Sequence, residues 1–210
     1  MNISRPEDYI ALKRTCQSLK DLLAQSLSPD RLRHSFEVAK LAQSLCLRYN
    51  LRPLKGYLAG LAHDLAREWP LESLVDFVKQ NKLRTNKWER EQPLLLHGRV
   101  AACYLKKVFG VRDRDVLEAV SLHVTGHPRM GCLAQIIYVA DYLEVGRDFL
   151  NEDKRQSILS LDLAEMVLMV SKDIVAYLTQ RGRKVVPVTY KLIEDFEQRL
   201  SERGYARAKL

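Results

Sequence analysis

The chain of 210 residues contains five histidines, and four of them fall in an ordered series with two aspartates: His34, the pair His63-Asp64, His97, His123 and Asp141. Histidine nitrogen and carboxylate oxygen without thiolate form a donor set for borderline divalent metals such as iron, manganese or zinc. Six donor residues exceed what one catalytic metal with an open position needs, so the set suits two ions. On a helix, adjacent residues such as His63 and Asp64 point about a quarter-turn apart. The carboxylate can then bridge two metals while the histidine binds one. A two-metal centre clamps a phosphoryl group and generates hydroxide at neutral pH. The reaction class these residues imply is hydrolysis of a phosphoester or phosphoanhydride.

Each of these side chains stands where a helical core residue is expected. His34 aligns with Val38, Leu41 and Leu45, and His97 with Ala101, Tyr104 and Val108. His63 and Asp64 close the apolar run Tyr57-Leu58-Ala59-Gly60-Leu61-Ala62, His123 ends the stripe Val116-Val120, and Asp141 follows Ala134 and Ile137. A single histidine on an apolar face is more often a hydrogen-bonded core residue than a ligand. A single aspartate at such a place is more often a helix-end carboxylate. All six together would each need separate satisfaction, and an unpaired buried carboxylate is prohibitively costly. One shared cation centre satisfies them all.

The elements that must position these residues read as helices throughout. A first amphipathic helix covers residues 7–26. Ser28 is the N-cap and Pro29 the first residue of a second helix that runs to about Tyr49. An apolar helix follows over 53–66, then a short one over 71–79 and a polar loop to Gln92. Further helices are expected over 93–109, ending at Gly110, and over 113–122. A Gly/Pro loop (Thr125-Gly126-His127-Pro128) precedes a helix over 131–144. The C-terminal third holds helices near 161–180 and 188–202, joined by an extended link at Val185-Val186-Pro187.

Apolar residues make up 47 % of the chain and charged ones 29 %, which places it among soluble globular proteins. No apolar run has the length of a membrane span, and the N-terminus has no apolar stretch of the signal-peptide kind. The expected location is the cytoplasm. Cys16, Cys46, Cys103 and Cys132 are scattered, with no C-x-x-C pair, and read as thiols in a reducing compartment. The net charge is +8. Much of the excess lies in the last thirty residues, at Arg181, Arg183, Lys184, Lys191, Arg199, Arg203, Arg207 and Lys209. A basic protein attracts polyanions, either a phosphate-rich small substrate or RNA. The plainer reading is a solvated basic tail.

The ordered series, carried on helices, resembles the HD superfamily of metal-dependent phosphohydrolases. Within it the nearer likeness is to the YqeK branch, whose members are symmetrical dinucleoside-tetraphosphate hydrolases. The segments that carry the likeness are Arg31-Leu-Arg-His34, Leu58-Ala-Gly-Leu-Ala-His63-Asp64-Leu-Ala-Arg67, Leu95-Leu-His97-Gly98, Ser121-Leu-His123-Val-Thr-Gly126-His-Pro-Arg-Met130 and Ile137-Tyr-Val-Ala-Asp141-Tyr-Leu-Glu144-Val-Gly-Arg147. The resemblance implies an all-α HD-domain bundle with a dinuclear metal centre over residues 28–190. Residues 1–27 would be a helical extension, and 191–210 a helix and basic tail packed on the domain. It implies His34, His63, Asp64, His97, His123 and Asp141 as ligands of two divalent ions, iron foremost, with manganese or another divalent metal as alternatives. His34, His63, Asp64 and Asp141 would gather around one ion, and Asp64 would bridge to a second held by His97 and His123. The implied reaction turns diadenosine tetraphosphate into two ADP. Asp64, Glu144 and Arg147 are the candidate catalytic residues.

A tetraphosphate needs positive charge beyond the metals, supplied by arginine and backbone amides. The candidates are Arg67, Arg99, Arg129 and Arg147, with Arg84 and Lys87 in the polar loop. His127 stands where the family has arginine, which removes a permanent charge, and Arg129, two residues on, is the candidate to supply it instead. Val145 stands where the family has proline. Tyr138, Tyr142, Phe149 and Trp88 read as packing residues rather than base-stacking platforms. The sequence leaves monomer or homodimer open. The competing function is an RNA- or ribosome-binding protein with a structural metal site, or an HD phosphohydrolase acting on another nucleotide.

Overall fold

Leu12, Leu19 and Leu23 recur on one face of α1 (Pro6–Ser26). In the computed structural model all three are buried, and α1 packs on α3 (Pro53–Ala62). The N-terminal segment is therefore part of the core. The structure describes the backbone of residues 6–147 and 149–207, and the side chains of 9–147 and 149–202. Arg203, Arg207 and Lys209 of the basic run lie outside those side chains. The described residues form eleven α-helices and one 3-10 turn, with no strand.

α2 (Pro29–Arg48) starts as the sequence predicts. The Ser28 hydroxyl accepts the Arg31 N–H at 3.4 Å and Pro29 takes the first turn, where no N–H is needed. The cap is also tied forward in the chain, because Glu68 accepts both the Ser28 N–H and its hydroxyl at 2.7 Å. α2 and α3 approach closely through a seam of small residues. A Cβ on Gly60 would stand 2.6 Å from the Ala39 Cα, and one on Gly56 would stand 2.7 Å from the Ala42 carbonyl oxygen. Glycine is what lets the two backbones approach this closely. That seam sets the distance between the ligand positions His34 and His63.

α3 stops at Ala62, four residues before the predicted end. The chain turns there, with Leu65 N–H bonded to the Ala62 carbonyl at 3.1 Å and Arg67 N–H to that of Asp64 at 2.9 Å. α4 (Leu71–Gln80) follows. The expected polar loop contains a short helix, α5 (Lys87–Glu91), closed by a reciprocal capping box between Asn86 and Glu89. The segment from Pro93 enters as a 3-10 turn (Pro93–Leu96), and α6 begins at His97 and ends at Val108. The stripe predicted through His97 departs from the core at Val108, which is exposed.

Asp113 caps α7 (Arg114–Leu122) by accepting the Val116 N–H, and Lys55 of α3 bonds Asp113 and Asp115, which ties α7 to α3. α8 (Cys132–Leu143) has buried residues on every side, as a central helix should. α9 (Glu152–Leu159), which the sequence pattern does not reveal, leads into α10 (Leu163–Gln180). Residues 183–186 form the expected link, and α11 starts at Pro187 and runs to Arg207, longer than predicted. Thr189 anchors the start of α11 by donating its hydroxyl to the Thr125 carbonyl at 2.9 Å. The four cysteines are free. No helix among the described residues is long and apolar enough to cross a membrane.

Candidate metal centre

All six predicted ligand residues converge, and most stand at helix ends. His63 and His123 follow the last residues of α3 and α7, His97 opens α6, and Asp141 lies in the last turn of α8. The location has a chemical use. Carbonyls near a helix end lack an intrahelical partner. His63 Nδ1 lies 2.6 Å from the Gly60 carbonyl, His97 Nδ1 2.6 Å from that of Leu94, and His123 Nδ1 2.8 Å from that of Val120. Each ring thus donates from Nδ1 to the carbonyl three residues back and keeps a lone pair on Nε2. His34 reaches the same state through a carboxylate: its Nδ1 donates to Glu144 Oε1 at 3.1 Å.

The four Nε2 atoms point at one another in two pairs. His34 and His63 meet at 3.1 Å, and His97 and His123 at 3.0 Å. Asp64 lies between the pairs and divides its oxygens. Oδ2 is 3.6 Å from His34 and 3.4 Å from His63, whereas Oδ1 is 3.2 Å from His97 and 3.7 Å from His123. Asp141 Oδ1 joins the first pair, at 3.1 Å from His34 and 3.8 Å from His63. The four histidines and Asp64 are all buried. Arg147 Nη2 reaches His34 Nε2 at 3.4 Å from the edge of the cluster, but the histidine lone pairs that face one another and the carboxylate oxygens still repel unless a cation or added protons intervene. Donors bonded to one ion at about 2.1 Å stand about 3.0–3.4 Å apart, which matches the closer spacings here. The residues therefore fit a divalent metal in donor type, tautomer and spacing.

The charges follow the same logic. With added protons in the place of a metal, burial alone would raise the Asp64 carboxyl, but the charge of His63 and hydrogen bonds from His123, His63 and His97 outweigh it and hold it well below the usual carboxylate range. For Asp141, burial is likewise outweighed by His34, His63 and Arg147, and its pKa is depressed. His97 moves down because it is buried. Burial also acts against protonated His34, yet its bonds to Asp141 and Glu144 win and raise it. Glu144 is buried and lowered by His34 and the Gly146 N–H, against its own burial. It remains a carboxylate and orients the His34 ring. Carboxylate–histidine pairs of this kind set the tautomer and basicity of a metal ligand.

Two guanidinium groups reach the ligand carboxylates. Arg147 bonds Asp141 through its carboxylate and, at 2.7 and 2.9 Å, through its carbonyl, with Glu144 3.6 Å away. Arg31 contacts Asp64 Oδ2 at 2.8 Å. The sequence reading did not single out Arg31, although it stands one helical turn before His34 and so shares its face. A cleft of about 460 Å³ opens from His97, His123 and Asp141, and Arg67 and Arg147 line it.

The other proposed phosphate contacts lie elsewhere. Arg99 donates to Glu89 at 2.6 Å and to the Arg84 carbonyl at 2.7 Å, which pins α5 to α6. With His127 it lines a neighbouring cavity of about 370 Å³ instead. His127 Nδ1 accepts the Arg129 N–H at 3.1 Å within their own turn, and neither residue lines the main cleft. Lys87 lies 3.7 Å from Glu91 on the surface, and Arg84 and Lys87 are also absent from the cleft wall. Among the aromatics, Tyr138 is buried as expected, whereas Phe149 is 57 % exposed.

The chain is similar in sequence and fold to known proteins. A model of the HD domain matches residues 31–146. The chain is 30 % identical over 166 residues to the symmetrical bis(5'-nucleosyl)-tetraphosphatase of Bacillus subtilis (strain 168), covering 79 % of this chain and 89 % of the relative. It is 30 % identical to the protein of that name from Staphylococcus aureus (strain NCTC 8325 / PS 47), over 79 % of this chain and 86 % of the relative. A crystal structure from Clostridium acetobutylicum, described as that of a predicted HD superfamily hydrolase involved in NAD metabolism, superposes with a TM-score of 0.82 at 31 % identity, covering 87 % of this chain and 97 % of that one. This chain belongs to the HD-domain family, beside the symmetrical bis(5'-nucleosyl)-tetraphosphatases.

Proposed function

We propose that the protein is a metal-dependent hydrolase that cleaves diadenosine tetraphosphate and related dinucleoside polyphosphates at the central phosphoanhydride, giving two ADP. The observation that carries this reading is Asp64, whose two oxygens serve two separate histidine pairs with facing lone pairs. That geometry suits two divalent ions bridged by one carboxylate. The donor set suits iron, manganese or zinc, and the family resemblance puts iron first. Two such ions would supply a water that ionises near neutral pH and a positive clamp on phosphoryl oxygens.

The protein's own groups do the rest. His34, His63 and Asp141 would hold one ion and His97 and His123 the other. Glu144 keeps the His34 lone pair directed at the centre. Arg147 is held by Asp141 at the mouth of the cleft, where it can take up charge that develops on the transferred phosphoryl group. Arg67, which lines the cleft, adds a second positive charge to the polyphosphate path. In the net reaction one water oxygen bonds to an inner phosphorus, the bond from that phosphorus to the central bridging oxygen breaks, and that oxygen leaves with the other ADP. The catalytic unit is assigned to residues 28–190, with the flanking helices packed on it.

The test is direct. Protein loaded with iron(II) or manganese(II) is incubated with diadenosine tetraphosphate, and the nucleotides are separated by ion exchange. ADP as sole product is expected. ATP plus AMP, or no turnover, rejects the reading.

A further inference from the structure

The cleft has a second wall beyond the matched domain, made by the segment after α8, the end of α10 and the link to α11. Phe149 and Tyr177 line it and are 57 % and 45 % exposed. The two rings lie 6.4 Å apart at 32°, and Phe149 also leans on the half-buried Tyr142 at 5.3 Å. Tyr142 adjoins the ligand Asp141 in sequence. The three rings therefore form an aromatic ladder that leads outward from the metal centre. Single exposed aromatics are common. The Arg181 guanidinium lies 4.6 Å from the Tyr177 ring centroid, yet both rings keep much of their surface open to the cleft beside the metal-ligand cluster, where a base can stack in its place.

The polar lining complements this ladder. Arg67, Arg147, Arg183 and Lys184 line the same cleft, against one lining carboxylate, Asp141. Arg147 joins the two regions. Its guanidinium bonds Asp141 and lies 5.8 Å from the Phe149 ring centroid. Arg183 is fixed in its turn by a backbone bond to the Leu178 carbonyl at 2.9 Å. A flat apolar face next to clustered positive charge is what a nucleotide needs, with its base on the rings and its phosphates on the cations.

We propose that Phe149 and Tyr177 form the nucleobase subsite for one nucleoside-diphosphate half of the substrate, and that Arg147, Arg183 and Lys184 receive that half's phosphates. This rests on the reading of the substrate as a dinucleoside polyphosphate, and it extends that reading to residues outside the ligand cluster. The subsite is tolerant of base identity, since stacking favours any base with a π-face.

The test compares ADP with inorganic pyrophosphate, by calorimetry on manganese-loaded protein. Phe149→Ala and Tyr177→Ala should each weaken ADP binding about tenfold and leave pyrophosphate binding unchanged. Tyr177→Phe, which keeps the ring, should bind ADP as the unmodified protein does. Arg183→Gln with Lys184→Gln should weaken both ligands. Both aromatics are exposed, so the variants should fold, as unchanged melting temperatures would show. Unaltered ADP affinity in the Phe149→Ala, Tyr177→Ala double variant, or no ADP binding by the unmodified protein, overturns the subsite. Unmodified protein that binds ADP through the two rings yet leaves diadenosine tetraphosphate intact overturns the cleavage reading alone. Symmetrical cleavage with full ADP affinity in the double variant overturns the subsite alone.

Discussion

On one side of the cleft His63, His97 and His123 are buried, and each ring is tied to a carbonyl three residues back. On the other side Phe149 and Tyr177 are exposed, and Arg183 and Lys184 stand on a link without regular structure. The first wall is built from helix ends locked by packing. The second is built from the last turn of α10 and the irregular segments after α8 and α10. Donors for a metal must be in place before it arrives, because a loose set loses affinity as entropy. A wall that receives a flexible polyphosphate can be looser, and loops on a rigid scaffold commonly play that part. The two walls should therefore respond differently to substitution: the first in metal content and chemistry, the second in substrate affinity alone.

The strongest way to break this contrast is at Asp64. Asp64→Asn removes the bridging charge and should lower kcat/KM by on the order of a thousandfold, several kcal/mol at tenfold per 1.36 kcal/mol. Metal analysis should find less than the full complement of ions. The metal-free protein should also respond. Asp64→Asn removes the carboxylate that Arg31 and the surrounding histidines hold, so the metal-free variant should melt lower than the metal-free parent. An unchanged melting temperature would mean that the cluster is not held by this charge. Glu144 gives a smaller effect of the same kind. Glu144→Ala leaves His34 Nδ1 without its acceptor and should weaken metal affinity about 10–100-fold. Glu144→Gln keeps a carbonyl acceptor and should recover part of it. Titration with manganese, followed by calorimetry, measures both.

The ligand wall was readable from sequence because its residue types are rare and their phase is regular. Histidine at an apolar helical position is informative, and four in order with Asp64 and Asp141 leave little else to expect. The helix ends were less readable. Nothing local distinguishes Ala62 as the end of α3 from the continuing apolar run, since the turn at 63–67 is imposed by the pairing of Ser28 with Glu68 and the close seam to α2. Arg31 escaped notice because an arginine in the first turn of a helix reads as solvated surface. Arg99 looked like a phosphate contact by its distance from His97 in sequence. Its partner Glu89 belongs to α5, whose short helix was read as loop. The aromatic ladder was unreadable for a topological reason. Phe149 and Tyr177 are 28 positions apart in the chain and meet only because α10 packs back along α8.

The contrast can be sharpened at the seam that sets the rigid wall. Gly60→Ala places a Cβ 2.6 Å from the Ala39 Cα, a backbone atom that cannot swing aside. Separating α2 from α3 should cost about 1–3 kcal/mol, read as a lower denaturation midpoint. It should also spread His34 from His63 and weaken metal binding, although no ligand has been changed. The equivalent small change on the opposite wall, Gly182→Ala, meets no atom within 4 Å, so only its backbone strain at a φ of +64° is expected to register.

The smallest effect separates two arginines that the sequence cannot tell apart. Arg99 is held by Glu89 and the Arg84 carbonyl, away from the main cleft, whereas Arg183 lines it and is exposed. Arg99→Gln leaves the buried Glu89 without its cation, but Glu89 still accepts the Asn86 N–H at 2.9 Å. The loss should be about 1 kcal/mol of stability, with KM for diadenosine tetraphosphate unchanged. Arg183→Gln should do the reverse, raising KM and leaving the melting temperature alone, because an exposed side chain on a turn contributes little to folding. The two variants remove the same charge from the same protein. If both raised KM to the same extent, long-range attraction of the polyanion by net charge would explain the effect, and the division of labour between the two walls would fall. If only Arg183→Gln does so, the charge acts by position, and raising the ionic strength should reduce the difference between Arg183→Gln and the parent without altering Arg99→Gln.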